Sequence, residues 1–598
     1  MSHGTVPGKR IRLRYLLVLF LLTVAAYSPV RHADYIQDDH LAVEENSIVQ
    51  DGDVVEIFSS HYWEGASGAD SSLYRPVTIL SYALERGFTA TPSARVSHAV
   101  NVLLHILAAL MLGFAAIRSG FSPTAAMAAC LLFAVHPIHT ESVAGVVGRA
   151  EILSGLFAFL AIWAFSGRSR VMIWLAALCL FLALGSKESA IALIPLLVYL
   201  QWRNRDRFLE AANRMAPLLL AFVLHMILRI QALQALLAVQ SPHPLDNPLV
   251  AVEGGVRLFT GLGLLARYVF LLFAPFRLSA DYSGTVIPME NSLLSVLPLA
   301  GAVLLALLLA GAALPLFSRR PAGSLTHQLA LASLMFLLPY LVIGNLLVQI
   351  GTIFAERLLY LPSAGFCLLA GIFLTELPAW APPATGKQLL RKFNLAGVVI
   401  LLLSAGYAMG TYARCTAWQN DESLFNAVLD VYPDSPRSNF IVAKIVADRV
   451  FEEGRGLPRN QLLGGLERPV SLLDHAVGVV PSYSVAWNEK GLIEARLGNN
   501  VEAIRLFRKT LEISPRFPRA RLNLAIALGL AGRKPEALRS VRKAILDAPD
   551  AHKPWAQLGH LLVDTGRPRE AVEAYRRAVD LGREDLLPRL QNLERSLN

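Results

Sequence analysis

Residues 14–411 hold twelve apolar runs separated by short polar loops, several of them basic. No other feature constrains the fold as strongly. A bilayer is crossed by about 20 apolar residues in helical form. Within it every backbone N–H and C=O must be satisfied inside the segment. The runs fall at 14–30, 97–117, 122–138, 150–166, 171–185, 188–202, 215–235, 257–275, 294–317, 327–348, 356–376 and 394–411. Beyond them, 412–598 is charged and alternating. The expected fold is all-α, with a polytopic helical membrane domain over 1–411 and a soluble domain over 412–598. A chain that is 54% hydrophobic and 17% charged, with mean hydropathy +0.47, fits that division.

The charges orient the spans. Basic residues stay on the cytoplasmic side. They cluster at Lys9, Arg10, Arg12 and Arg14, at Arg168 and Arg170, at Arg203, Arg205 and Arg207, at Arg319 and Arg320, and at Lys387, Arg391 and Lys392. The net charge of +10 therefore reports topology rather than nucleic-acid binding. Passing from the Arg203 cluster to the Arg319 cluster takes an even number of crossings, yet three apolar segments lie between. One must be re-entrant, interfacial or broken, and the stretch near 236–275, with Pro242, Pro244 and Pro248, is the candidate. Eleven crossings follow, with a cytoplasmic N-terminus and residues 412–598 on the far side. The first run lacks a small-residue cleavage site and reads as a retained span. Cys130, Cys179, Cys367 and Cys415 show no metal-ligand spacing and read as free thiols, most of them in apolar runs.

On this topology the polar residues at the outer helix ends form one set. The first outer loop, about 31–96, carries the adjacent acids Asp38 and Asp39, then Asn46 and Tyr74-Arg75-Pro76. His136, His139, Glu141, Arg149 and Glu151 follow the third run, Lys187 and Glu188 the fifth, and Glu356, Arg357 and Tyr360 open the eleventh. Ionisable groups at a bilayer are costly and mark candidate sites. Two adjacent carboxylates can divide labour, one acting as base and the other orienting it. Arginine offers phosphate a fork of donors and lysine a point charge. The competing readings are a solvated loop acid for Asp38 and Asp39, and ion pairs of Arg149 with Glu151 and of Arg357 with Glu356. His98 and His105 read as helix–helix hydrogen-bonding groups. His136 and His139 with Glu141 only superficially resemble metal ligands, and no metal site is expected.

The tail is periodic. Pro481, Pro515 and Pro549 are 34 residues apart, as are Gly498, Gly532 and Gly566, and Ala503, Ala537 and Ala571. This is the tetratricopeptide period, two helices per unit. An earlier unit opens near Pro433–Asn439 with an insertion around 454–469, and 581–598 reads as a capping helix. Such arrays form a concave surface that holds extended peptides or proteins.

The order of these segments resembles the transmembrane-and-tetratricopeptide protein O-mannosyltransferases. The segments are Asp38-Asp39 with Asn46, Tyr74-Arg75-Pro76-Val77-Thr78, His98 to His105, His136-Pro137-Ile138-His139-Thr140-Glu141, Gly148-Arg149-Ala150-Glu151, Lys187-Glu188 and Glu356-Arg357-Leu358-Leu359-Tyr360-Leu361-Pro362. The resemblance implies the GT-C glycosyltransferase fold and a polyprenyl-phosphate-linked sugar, mannose above others, as donor. It also implies chemistry on the non-cytoplasmic face and an acid of the first outer loop as general base. Asp38 is then the base and Asp39 its orienting partner, or the two exchange these roles. Arg149, Lys187 and Arg357 hold the lipid phosphate. Arg75, His136, His139, Glu141, Glu151, Glu188, Glu356 and Tyr360 fix those cations or contact sugar. A Ser/Thr hydroxyl of a protein held by the repeats is the acceptor, and one-step displacement inverts the anomeric centre. Other readings are transfer to an envelope glycan or lipid, and a non-catalytic anchor presenting a repeat scaffold.

Overall fold

The structure, a computed structural model, describes residues 13–66, 72–89, 93–204, 206–235, 242–317, 323–376 and 386–597, the side chains of 386–394 excepted. Lys9, Arg10, Arg12, Arg205, Arg319 and Arg320, and the side chains of Lys387, Arg391 and Lys392, lie outside the described residues. Among the described residues there are helices and no strands. Two compact units are present. One comprises Met1–Ser283 with Ile287–Val431, the other Gly284–Val286 with Tyr432–Asn598.

Each of the twelve apolar runs is helical in the first unit. The helices are Leu13–Ala26, Ala94–Arg118, Pro123–Val135, Arg149–Phe165, Arg170–Ser186, Leu193–Arg203, Phe208–Leu233, Gly255–Phe273, Val296–Ala313, Leu325–Ile343, Tyr360–Thr375 and Gly386–Cys415. Eight described helical segments are long and apolar enough to cross a membrane, and a ninth is added if Pro123–Val135 and Pro137–Ala144, bent by 49°, count as one span. The bend falls at Pro137, whose nitrogen carries no N–H to continue the ladder. Small residues let helices close up, as lipid-embedded packing requires. A Cβ on Gly365 would strike the backbone at Ala332 and Phe336.

Polar contacts sort the loops into two ends of the bundle. At one end Arg203 donates to the Ser119 carbonyl at 2.8 Å, Ser119 meets Ser166 at 3.3 Å, and Gln328 donates to the carbonyls of Gly120 and Gly323 at 3.0 Å each. Asp206 holds Arg168 and Arg214 there, at 3.7 and 3.9 Å. The acidic and cationic residues of the candidate site lie at the other end. The Gly255–Phe273 helix touches that other end along its length. Its Gly261 abuts Leu346 and Gly344, Tyr268 hydrogen-bonds the Ala355 carbonyl at 3.3 Å, and the Leu272 carbonyl accepts from His136 at 2.9 Å and Tyr407 at 3.0 Å. The prolines expected to interrupt this stretch do not. Pro242, Pro244 and Pro248 precede the helix, which is continuous because the turn-forming residues end at Gly254, in a positive-φ conformation (62°). Run 188–202 is broken near its start. It starts as a 3₁₀ turn, Glu188–Ala192, and continues as Leu193–Arg203.

The second unit is a stack of helix pairs: Pro436–Glu453 with Arg459–Val479, Ser484–Arg496 with Asn500–Ile513, Pro518–Leu530 with Lys534–Asp547, and His552–Asp564 with Pro568–Asp580, closed by Leu587–Leu597. Gly498, Gly532 and Gly566 turn the chain inside the last three pairs with φ of 78°, 78° and 71°. Ala503, Ala537 and Ala571 are fully buried. Six residues after each repeat proline, a side chain donates to that proline's carbonyl: Trp487 to Pro481 and Trp555 to Pro549, both at 2.9 Å, and Arg521 to Pro515. A Cβ on Gly491 would meet the Phe507 ring at 2.6 Å, and one on Gly559 the Tyr575 ring at 2.6 Å. Gly559→Ala is expected to destabilise this unit by about 1–3 kcal/mol, the usual cost of overpacking. The readout is the unfolding midpoint of the full chain followed by a repeat-unit probe. An unchanged midpoint would mean the Tyr575 ring yields freely.

Candidate functional site

The site is built on the folded loop that follows the helix Leu13–Ala26. Tyr35, Val43, Ile48, Ile57, Tyr62, Ile79, Tyr82 and Val146 form its own apolar core, so the loop is folded rather than trailing. The Pro76–Phe88 helix seats it on the bundle: Thr78 donates to the Ser186 carbonyl at 3.0 Å and Tyr82 to that of Val146 at 3.1 Å. Pro76 starts that helix and leaves Arg75 at its N-cap position.

The two adjacent acids part company. The Asp39 side chain is fully buried. Its carboxylate accepts from the amides of Val147 at 2.8 Å, Val146 at 3.2 Å and Ile36 at 3.2 Å. It therefore clamps the loop to the turn ahead of Arg149. Asp38 points the other way, exposed, and has no hydrogen bond or ion pair among the described residues. It lies within electrostatic reach of Arg357 and Tyr62.

Burial pushes the Asp39 carboxyl up to about 7, against the pull of its three amide donors. An unfolded aspartate titrates near 3.9, so the fold binds the proton more tightly. That contribution to stability is complete below about pH 4 and is lost as pH rises through about 7. Asp39→Asn holds the side chain neutral and keeps an acceptor oxygen. Its thermal midpoint should fall less than the wild type's between about pH 4.5 and about pH 7.5. An identical fall in both proteins would remove Asp39 from this titration.

Three acid–base pairs form a charged cluster that Asp38 reaches through Arg357. Arg75 forks onto Glu188, with Nη2 to Oε2 at 2.8 Å and Nε to Oε2 at 3.1 Å, and its guanidinium sits 5.3 Å from the Tyr62 ring centre. Lys187 pairs with Glu151. Burial lowers the Lys187 ammonium, Glu151 opposes that, and the cations Arg75 and Arg357 add to the lowering. Arg357 pairs with Glu141, which also accepts from the Arg357 backbone amide at 2.8 Å. The Arg357 side chain is 41% exposed, and its Nε and Nη2 carry no described partner. Arg75, Lys187, Glu188, Glu151, Glu141, Arg357 and Asp38 are coupled to one another electrostatically. They make one charged cluster with a free carboxylate at its edge.

Five residues expected to contact substrate are engaged by the protein instead. Arg149, expected at the phosphate, is fully buried. It binds Glu85 at 2.6 Å, Asn101 Oδ1 at 2.7 Å and the Ser97 carbonyl at 3.1 Å, and faces the Tyr82 ring at 4.6 Å. His136 takes the Ile138 amide at 3.2 Å and donates to Leu272. His139 bonds the Phe133 carbonyl and Ser363 Oγ, both at 2.8 Å. Tyr360 bonds His105 Nδ1 at 2.8 Å, and His105 Nε2 bonds the Ala134 carbonyl at 3.0 Å. Glu356 accepts from the Ser279 amide and from Tyr282 at 2.7 Å. The competing readings, ion pairs of Arg149 with Glu151 and of Arg357 with Glu356, do not form among the described residues, since residues one or two apart on a helix face different directions. Among the described residues no group of three or more His, Cys, Asp or Glu could hold a metal ion.

Two further side chains lie near these charges. Tyr62 lies under Arg75. Arg414, near the end of the last apolar helix, has Nε and Nη2 buried without a partner and lies within electrostatic reach of Glu356, whose Oε2 is also unpartnered. Arg414 follows the last apolar run at the head of the charged tail, in no motif that sets it apart.

The fold and these charges define a polytopic helical membrane protein carrying a tetratricopeptide array. The tetratricopeptide family models match residues 495–558 and 552–584. Over about 70% of the chain, its curated relatives are protein O-mannosyltransferases of the transmembrane-and-tetratricopeptide family. A Caenorhabditis elegans protein O-mannosyl-transferase, F38B6.6, is 28% identical over 74% of this chain and 61% of its own length. Human protein O-mannosyl-transferase TMTC3 is 27% identical over 70% of this chain and 48% of its own length, and human TMTC1 28% over 71% and 52%. The chain thus spans about half to three-fifths of these relatives.

Proposed function

We propose that this chain is a membrane glycosyltransferase of GT-C type. It moves a sugar, mannose by its relatives' names, from a polyprenyl-phosphate carrier to a Ser/Thr hydroxyl of a protein on the non-cytoplasmic face. The observation that carries this is Asp38, an exposed carboxylate with no partner among the described residues, which reaches through Arg357 a cluster of three cations at one end of the bundle. The Asp38 carboxylate takes the hydroxyl proton. The oxygen attacks the anomeric carbon, the bond from that carbon to the phosphate oxygen breaks, and the carrier phosphate leaves with the electron pair, inverting the centre. General base assistance is worth about 10²–10⁴-fold. Lys187, Arg357 and Arg75 stabilise the departing phosphate, and each cation keeps its glutamate to fix its position. Arg149 plays no part in this.

The orientation rests on the two bundle ends. With Arg168 and Arg203 at the cytoplasmic end, the Gly255–Phe273 helix lies across the opposite end without crossing. Eleven crossings remain, and the repeat unit follows the last of them outside the cytoplasm, where it receives the acceptor protein. The test is mass spectrometry of proteins exported by cells with and without this chain. Loss of a hexose from Ser or Thr residues supports the reading. Unchanged proteins with an altered glycan or lipid would move the acceptor, and no change anywhere would leave a scaffold.

A further inference from the structure

Asp38 follows a strained residue. Gln37 has φ of 48°, the left-handed region that glycine tolerates and a side chain resists. Such a conformation persists where its surroundings enforce it. The turn closes on itself through the Asp39 amide to the Ile36 carbonyl at 3.0 Å and the His40 amide to the Gln37 carbonyl at 3.2 Å. Asp39 anchors it from beneath to Val146 and Val147. A second anchor comes from far along the chain. The Gln37 amide donates to Asp421 Oδ1 at 3.1 Å, and the Asp34 amide donates to the Gln419 carbonyl at 2.9 Å. Gln419 in turn donates to the Pro29 carbonyl at 3.3 Å. Gln419 lies in the short link 416–420 after the last apolar helix, and Asp421 opens the helix Asp421–Val431, after which the chain enters the repeat unit.

We propose that Asp421 is a positioning residue for Asp38. Its carboxylate holds the Gln37 amide, keeps the turn in the left-handed form, and so aims the Asp38 carboxylate outward while Asp39 stays buried. The inference rests on Asp38 being the base. It adds that the base is held by the segment leading to the repeats, so the catalytic turn takes its geometry from both ends of the membrane unit. Without the Asp421 acceptor, Gln37 relaxes to negative φ, and the peptide plane that orients Asp38 rotates.

The test uses the full chain in detergent and hydrogen exchange read by mass spectrometry. Asp421→Ala is expected to speed exchange of the 34–45 segment by about tenfold, the loss of one anchoring hydrogen bond, with exchange of 140–151 unchanged. Asp421→Asn keeps an acceptor oxygen and should protect 34–45 as the wild type does. Gln37→Gly keeps the amide and suits the positive φ, so it too should retain protection. In cells lacking the native gene, Asp421→Ala should lower hexose transfer to exported proteins, with Asp421→Asn restoring it. Unchanged exchange of 34–45 in Asp421→Ala, or equal loosening in Asp421→Asn, overturns the positioning role. Full transfer by Asp38→Asn would instead overturn the base assignment, and the exchange result would still decide whether Asp421 holds the turn.

Discussion

Asp38→Asn is expected to cut sugar transfer by about 10²-fold or more, the scale of lost general base catalysis. The change should leave the protein folded. Asp38 is exposed and bonds nothing among the described residues, so no anchored amide is orphaned. Asp39 is different, because three buried amides depend on it. Asp39→Ala should therefore lower stability and transfer together, by about 2–4 kcal/mol in the first, while Asp38→Asn lowers transfer alone. The decisive comparison is hexose occupancy on exported proteins against thermal midpoint for both variants. Near-wild-type occupancy in Asp38→Asn at normal protein levels would remove the base from this position.

Arg149→Ala is expected to prevent accumulation of folded protein. The guanidinium is completely buried, and its loss strands Glu85 and Asn101 between the helices Pro76–Phe88 and Ala94–Arg118. Breaking one side of a buried ion pair costs about 3–5 kcal/mol, comparable with the net stability of many domains. Removing both charges is gentler, because no ion is left unpaired. Arg149→Met combined with Glu85→Gln should recover much of the lost protein, and transfer with it. Were Arg149 a phosphate ligand, the double variant would accumulate yet stay inactive. Membrane-fraction yield and hexose transfer measured together distinguish the two.

The two arginines show what sequence could and could not convey. Arg149 and Arg357 each sit beside a glutamate at the start of an outer helix end, and in sequence they look alike. Their difference arises across space. Arg149 meets Glu85 from the Pro76–Phe88 helix, whereas Arg357 meets Glu141 and keeps two donors open. Apolar periodicity locates helices because burial in lipid or protein demands it. All twelve runs are helices, although their limits move where caps and 3₁₀ turns intervene. Glu356–Leu359, for example, is a 3₁₀ turn ahead of Tyr360–Thr375. The partner of a buried charge depends on which helices touch, and spacing along one chain does not carry that. The histidines were similarly ambiguous: a loop of polar residues at a helix end can bind a ligand or tie helices together, and His136 and His139 do the second. The repeat array was legible in detail because its 34-residue period places a glycine where φ must be positive and a buried alanine where helices meet.

The glycine–aromatic matches in that array carry a consequence for building chimaeras. Gly491 accommodates Phe507 and Gly559 accommodates Tyr575, while the middle unit has buried Ala525 and Val541 at the same places. The two helices of a unit are thus cut to each other like lock and key, small against large. Exchanging single helices between units would set alanine against an aromatic ring or glycine against valine, a crash in one register and a hole in the other. Grafts from longer relatives should therefore join at Pro481, Pro515 or Pro549, so that each helix travels with its mate.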